Sequence, residues 1–235
     1  AKTLFPYTTL FRSSMGKTIV GLNVAANAAM NGLSVGFFSL EMSGEQLTNR
    51  LLSSESQIPH QAIRNGTISS DEWLYLTKIA GRLADIKLFI DDTARKLKMQ
   101  ENVQLIVIDY LQLLHSGTKK YENRHQEVSD ISRALKALAK ELNIPILALS
   151  QLSRAVDSRL DKRPMLSDLR ESGAIEQDAD LIMFMYRDVV YNPETENPAA
   201  AELIVGKQRN GPTGTVYLQY LRDIMKFEDA PAQLY

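Results

Sequence analysis

Three residues of this 235-residue chain have the types and neighbours that phosphoryl chemistry needs: Lys17, Glu41 and Asp109. Lys17 lies in Ser14-Met15-Gly16-Lys17-Thr18, which runs straight into Ile19-Val20-Gly21-Leu22-Asn23-Val24-Ala25-Ala26, where apolar residues recur at helical spacing. Gly-Lys-Thr thus falls at a helix N-terminus, where free backbone N–H groups and the positive end of the helix dipole face an anion. A lysine there reaches β- and γ-phosphates, and the Thr18 hydroxyl can ligate Mg²⁺. The same triplet also arises by chance, so the other two residues decide.

Both acids stand at the ends of predicted strands. Val35 to Leu40 reads as a buried strand with Glu41 at its C-terminal end. Leu105-Ile106-Val107-Ile108-Asp109 places four aliphatics before an acid, the Walker B arrangement of a strand buried on both faces. In open α/β sheets ligands gather beyond the carboxyl ends of the strands, so both carboxylates are placed to meet one. A central strand that merely ends in a turn aspartate is the plain alternative; agreement with Gly-Lys-Thr upstream weighs against it.

Further residues have two readings each. Ile146 to Leu149 forms another strand, ending in Ser150-Gln151, and Gln151 either senses a γ-phosphate or is an ordinary exposed strand-end amide. Periodicity disappears from Leu152 to Leu166 while Arg154, Arg159, Lys162 and Arg163 gather, followed by Arg170-Glu171-Ser172-Gly173. Such a basic loop is a solvated surface or a grip on nucleic-acid backbone. Strands at Ala201 to Lys207 and Thr215 to Leu221 flank a Gly-rich hairpin loop, with Lys207 and Arg209 near its tip. Those cations either guard an edge strand or reach a neighbouring subunit's nucleotide.

The elements that must position these residues follow from the pattern. Asn31-Gly32 ends the first helix; Ser43 and Gln46 form a capping box before Leu47, Leu51 and Leu52. A helix over Asp71 to Leu83, capped by Ser70, is expected to bury Trp73, Leu76, Ile79, Ala80 and Leu83. Leu88 to Ile90 is a short strand, and the connection from Thr93 to Val103, with the helical pattern Arg95 to Lys98, is barely long enough for a crossover. After a polar loop from Gly117 to Arg124, Val128, Ile131, Leu135, Leu138 and Leu142 mark the longest helix, closed by Asn143 and Pro145. Leu181 to Tyr186 is a further buried strand.

Composition is that of one ordinary globular α/β domain. The formal net charge of −1 assigns any nucleic-acid contact to a local patch. No cysteine is present, which excludes disulfides and thiolate metal sites and fits a cytoplasmic setting. No apolar run approaches the roughly 20 residues of a membrane span, so a soluble chain with no membrane partner is expected. The first dozen residues fit poorly: Pro6 interrupts the strand that should precede a phosphate loop, and Phe11 occupies the first glycine position of G-x-x-x-x-G-K-[ST]. Residues 1–13 are therefore expected to be a non-native leader before a domain spanning 14–235.

Ser14 to Thr18, Phe38 to Ser43, Leu105 to Gln112, Ser150 to Arg154, Arg163 to Asp178 and Lys207 to Pro212, in that order, resemble the ATPase domain of bacterial replicative DNA helicases of the DnaB type. The resemblance runs from about Ser14 to Glu228. It implies a RecA-like P-loop fold, a mostly parallel twisted sheet flanked by helices with a C-terminal β-hairpin. It implies ATP and Mg²⁺ as cofactors, with Ser14, Met15, Gly16, Lys17, Thr18 and Arg50 on the nucleotide. Thr18 and Asp109 would hold the metal, and Glu41 would polarise the attacking water. Gln151 would couple the γ-phosphate to the DNA loop, with Arg209 and Lys207 as fingers into the adjacent subunit. Arg154, Arg170, Glu171 and Gly173 would contact single-stranded DNA. The family partners are primase and a helicase loader; its homohexamer translocates 5′ to 3′.

Two alternatives remain: a RecA-like recombinase or repair ATPase with the same chemistry, and, from a different class, a nucleotide-regulated DNA-binding module with little turnover. The family also has a small residue where Phe11 stands, a proline where Ser13 stands, a preceding aliphatic strand and a longer segment between Thr93 and Arg95. It carries an N-terminal helical domain and linker helix as well. These departures imply weakened nucleotide binding and poor ring formation for this polypeptide.

Overall fold

Side chains of the strand Leu105–Asp109 alternate between two cores. Leu105 and Val107 join Met15, Leu22, Ala25, Phe37, Leu147 and Leu149 on one face, while Ile106 and Ile108 join Val128, Ile131, Leu135, Ile146 and Ala148 on the other. Each aliphatic side chain so buried contributes about 1.5–3 kcal/mol, which is why continuous aliphatic runs rather than alternating ones form these strands. The computed structural model describes residues 6–11, 15–90, 101–114, 123–152 and 154–231, without the side chains of 6–11, 154–155 and 170–173. Ser14, the pattern at Arg95 to Lys98 and most of the loop from Gly117 lie outside the described residues.

In chain order the strands are β1 (Pro6–Phe11), β2 (Val35–Ser39), β3 (Leu88–Ile90), β4 (Leu105–Asp109), β5 (Ile146–Gln151), β6 (Leu181–Tyr186), β7 (Ala200–Gln208), β8 (Gly214–Leu221) and β9 (Lys226–Asp229). The helices are α1 (Lys17–Met30), α2 (Gly44–Ser56), α3 (His60–Asn65), α4 (Ser70–Ala84), α5 (Arg124–Leu142) and α6 (Gly173–Asp178), with short 3₁₀ turns between them. The strands form one sheet in the order β3-β2-β4-β5-β1-β6-β7-β8-β9. From β3 to β6 neighbours run parallel, and β7, β8 and β9 add an antiparallel extension. Helix α1 covers one face through Val20, Leu22, Ala25 and Ala26, and α5 covers the other. Gly21 lets α1 approach closely: a Cβ there would lie 2.6 Å from Leu149 Cδ1.

Parallel pairing sets up two rims. The C-terminal ends of β2, β4 and β5 lie along one, with Ser39 beside Asp109. Because β7 is antiparallel to β6, its last residues Lys207 and Gln208 pair with Ile182 and Leu181, the first residues of β6. They therefore stand at the opposite rim.

Several expectations change. The strand position before the phosphate loop is filled: β1 pairs with β5 on one side and β6 on the other. Pro6 opens that strand, a place where its missing N–H is tolerated. Helix α4 is capped by Ser69, whose hydroxyl accepts from the Glu72 N–H at 3.3 Å, not by Ser70. Its core-facing side consists of buried Leu76 and Ile79 with half-buried Leu83, whereas Trp73 is 62% exposed and Ala80 is exposed. The capping box of α2 forms as expected, with the Gln46 N–H donating to Ser43 Oγ and the Ser43 N–H to Gln46 Oε1. Strand β9 is an element the periodicity did not announce.

Candidate active site

Gly16 ends the loop before α1 at φ +94°, a left-handed conformation that glycine adopts without penalty, and the helix starts at Lys17. The Lys17 ammonium lies 2.8 Å from Asp109 Oδ1 and 3.1 Å from Glu41 Oε2. It also rests 3.3 Å from the centroid of the Tyr110 ring. Asp109 is fully buried at the end of β4, and Glu41 stands two residues beyond β2. The rims of those strands are tied where Leu40 donates its N–H to the Asp109 carbonyl at 2.9 Å. One cation among two carboxylates leaves a net negative spot at a helix N-terminus, suited to a divalent cation together with an anionic phosphate chain.

The metal question can be put to the donors themselves. Asp109 Oδ2 is buried without a hydrogen-bond partner, and Thr18 is buried at the start of α1. Among the described residues no cluster of three or more His, Cys, Asp or Glu gathers as an all-protein metal cage. Mg²⁺ is usually held by one or two carboxylates plus substrate phosphates and water, and a hydroxyl with a spare buried carboxylate oxygen fits that pattern.

Gln151 ends β5 on the same rim. Its backbone N–H donates to Gln112 Oε1 at 3.1 Å, while Gln112 Nε2 donates to Ser150 Oγ at 2.7 Å and to the Gln151 carbonyl at 3.3 Å. Gln112 thereby joins the strand end carrying Asp109 to the one carrying Gln151. Gln112 closes the stretch Leu105 to Gln112 that carries the resemblance, yet its partners on β5 lie far off in sequence.

A cleft of about 780 Å³ opens beside the phosphate loop, lined in part by His60, Arg64, Arg187, Tyr220 and Arg222. The two are joined by ring contacts: the Phe227 ring lies against Gly16, at 2.9 Å from where a Cβ would stand, and its centroid is 4.6 Å from that of the tilted Tyr220 ring. The Arg187 guanidinium covers Tyr220 at 4.2 Å. Strand β9 is held there by the Phe227 N–H donating to Asn23 Oδ1 of α1 at 2.9 Å. Arg187 is buried, which, with Arg222 nearby, lowers its affinity for a proton. His60 is pushed down by burial and by Arg50 and Arg64. Arg50, on α2, thus faces His60 and Tyr220. Neither Arg187 nor Tyr220 stood out in the sequence, because they meet only across β6 and β8.

Lys207 and Arg209 are not brought to this rim. At the opposite one, Arg209 Nη1 lies 2.7 Å from Asp180 Oδ1, and Lys207 donates to the Glu176 carbonyl. Burial and the neighbouring Arg209 lower the Lys207 pKa. Arg154 opens a 3₁₀ turn, Arg170 and Glu171 lie in another (Leu166–Ser172), and Gly173 opens α6, so the segment is more regular than a loop. Arg159 braces it with a bidentate pair to buried Asp168 at 2.9 and 3.0 Å.

Residues 10–229 match the family described as DnaB-like helicase C terminal domain. The chain is 49% identical to the replicative DNA helicase DnaB of Geobacillus stearothermophilus, over 92% of this chain and 50% of that protein. It is 48% identical to the replicative DNA helicase DnaC of Bacillus subtilis, again over 92% and 50%. It thus spans about half the length of these curated relatives. A solved structure of an ATPase domain superposes with a TM-score of 0.90 at 38% identity, covering 97% of this chain and 85% of that one. A structure of a DnaB-like replicative helicase and its interactions with primase gives 0.89 at 38%, covering 97% and 59%. With a RecA-like sheet whose strand ends gather Lys17, Glu41 and Asp109, and with these similarities along nearly its full length, the chain belongs to the DnaB-like helicase C-terminal domain family.

Proposed function

We propose that this chain is the motor domain of a replicative DNA helicase, hydrolysing ATP to move on single-stranded DNA and displace the complementary strand. The observation that carries the reading is the convergence of Lys17, Glu41 and Asp109 at the start of α1. In this reading Met15, Gly16, Lys17 and Thr18, with Ser14 before them, cradle the phosphates, and Lys17 exchanges its carboxylate partners for the β- and γ-phosphates. Bound Mg²⁺, held by Thr18 and Asp109, would neutralise charge on the phosphate chain. Glu41, half exposed and 3.1 Å from Lys17, orients and deprotonates the attacking water. Gln151 senses the γ-phosphate, and Gln112 holds its backbone in place.

The base and ribose occupy the cleft beside Phe227, where Tyr220 and Arg187 offer planar surfaces and Arg50 stands nearby. Arg209 and Lys207 lie at the far rim of the sheet from their own phosphate loop, so they serve the loop of a neighbouring copy, as a head-to-tail hexameric ring provides. Arg154, Arg170, Glu171 and Gly173 contact single-stranded DNA through its backbone, with 5′ to 3′ movement, cytoplasmic location, and primase and a loader as partners of the longer protein. The family match over residues 10–229 supports unwinding over strand exchange. The test is displacement of a strand from a duplex with a 5′ single-stranded tail, measured beside ATP hydrolysis with and without single-stranded DNA. Stimulated hydrolysis with displacement is expected; strand exchange without displacement, or hydrolysis indifferent to DNA, would overturn the reading.

A further inference from the structure

The opposite rim has an organisation that the nucleotide site does not explain. Asp180, only 6% exposed, directly precedes β6. Its Oδ1 lies 2.7 Å from Arg209 Nη1, and its backbone carbonyl accepts from the Arg209 N–H at 2.8 Å. Asp180 Oδ2 is buried with no hydrogen-bond partner, so the charge of this carboxylate has Arg209 as its close counterion among the described residues. Two residues before Arg209, Lys207 donates to the Glu176 carbonyl, and Lys136 of α5 donates to the Asp178 carbonyl at 2.6 Å. Cations thus close the C-terminal end of α6, where carbonyls lack helical partners.

Helix α6 follows immediately on the 3₁₀ segment that contains Arg170 and Glu171. The stretch from Gln151 to Asp180 therefore starts at the nucleotide rim, passes the residues assigned to DNA and ends clamped to the finger pair.

We propose that Asp180 is the positioning residue for Arg209, and that the Glu176–Asp180 clasp makes the finger pair and the DNA-contacting segment move as one body. This rests on the reading of Arg209 as a finger in trans. Asp180 holds Arg209 at two points, the backbone N–H and the guanidinium, so the side chain leaves the end of β7 in one direction, and a shift of α6 on DNA carries it toward or away from the neighbouring copy's phosphates. A misplacement of about 1 Å at such a group costs on the order of 100-fold.

The test uses the full chain, with ATP turnover followed in the presence of single-stranded DNA for Asp180→Ala, Asp180→Asn and Asp180→Glu, alone and mixed in equal amounts with Lys17→Ala. Asp180→Ala and Asp180→Asn are expected to lower kcat about 10- to 100-fold with KM within about twofold, while Asp180→Glu keeps the charge and regains part of the loss. Asp180→Asn preserves shape, so an unchanged melting temperature separates positioning from folding. Mixing with Lys17→Ala pairs an intact loop with an intact finger at some interfaces, so turnover should rise above that of both parents; a merely misfolded variant gives no rise. Arg209→Ala mixed with Lys17→Ala is the control. If that control rises and the Asp180 mixtures do not, or if the Asp180 variants turn over like wild type, the positioning role is overturned. If the control itself does not rise, or wild type shows no turnover, the finger reading falls and this inference with it.

Discussion

The two rims of the parallel sheet hold their cations in different ways. At the C-terminal ends of β2 and β4 a single ammonium, Lys17, lies between Asp109 and Glu41. At the other rim Arg209 pairs with the buried carboxylate of Asp180, while Lys207 donates to the Glu176 carbonyl within the field of Asp180 and Glu176. The sheet keeps these two rims apart within one chain, since one lies at the C-terminal end of β4 and the other at the first residues of β6. On the proposed reading they meet across a head-to-tail contact between copies, the geometry that closes a ring. On that reading the difference teaches that the chain carries two half-sites, one that binds and one that completes.

The sharpest break of this comparison is Arg209→Ala. Turnover should fall by a factor of about 10³ or more, the range that fingers supply in other nucleotidases, while ATP binding to the same chain stays within a few-fold. Measured affinity falling in parallel with turnover would place Arg209 in its own chain's site and dissolve the distinction between the rims.

Gly21→Ala probes how closely α1, which begins at Lys17, packs on β4 and β5. The added methyl meets Leu149 Cδ1 at 2.6 Å and Val107 Cγ1 at 3.4 Å, and Leu149 is itself fully buried. Overpacking costs about 1–3 kcal/mol against about 1 kcal/mol gained in helix propensity. A net loss of about 1 kcal/mol corresponds to roughly 2–4 °C in Tm for a domain of this size; a raised Tm would show that the α1 contact is slack.

The smallest expected effect lies in the cleft. Burial, Arg50 and Arg64 hold the His60 pKa below its ordinary value of 6.5. The folded chain therefore binds this proton less readily than the unfolded chain. Stability from neutral His60 is present above the unfolded pKa and is lost as pH falls through about 6.5 toward the lower folded value. His60→Gln should lose less stability than wild type between pH 7.5 and 5.5 in urea titrations. Equal losses would remove His60 from the positive field of the cleft.

What was legible in the sequence was the first half-site. A continuous aliphatic run ending in an acid has one arrangement in a parallel sheet, so Asp109 and Glu41 could be placed from local pattern alone, and Lys17 from the helix that follows it. Strand β1 was not legible, since Pro6, Thr8 and Thr9 lack a buried strand's pattern and β5 and β6 supply its ladder from distant sequence. Trp73 misled because helical spacing put it on the face of Leu76, Ile79 and Leu83, while the core reaches only the later turns of the helix. The cap of α4 slipped by one because Ser69 and Ser70 are adjacent and only Ser69 stands three residues before Glu72. Gln112, Arg187 and Asp180 act through partners on other strands, so no spacing reveals them.

The most direct test of the central claim, that Lys17, Glu41 and Asp109 form one hydrolytic centre, is Glu41→Gln. Mg-ATP titration and turnover should be measured on the same preparation. Affinity within a few-fold of wild type with turnover reduced by about 10²–10⁴ is the expected result. Turnover equal to wild type would contradict it, because a carboxylate 3.1 Å from Lys17 would then play no part in the chemistry.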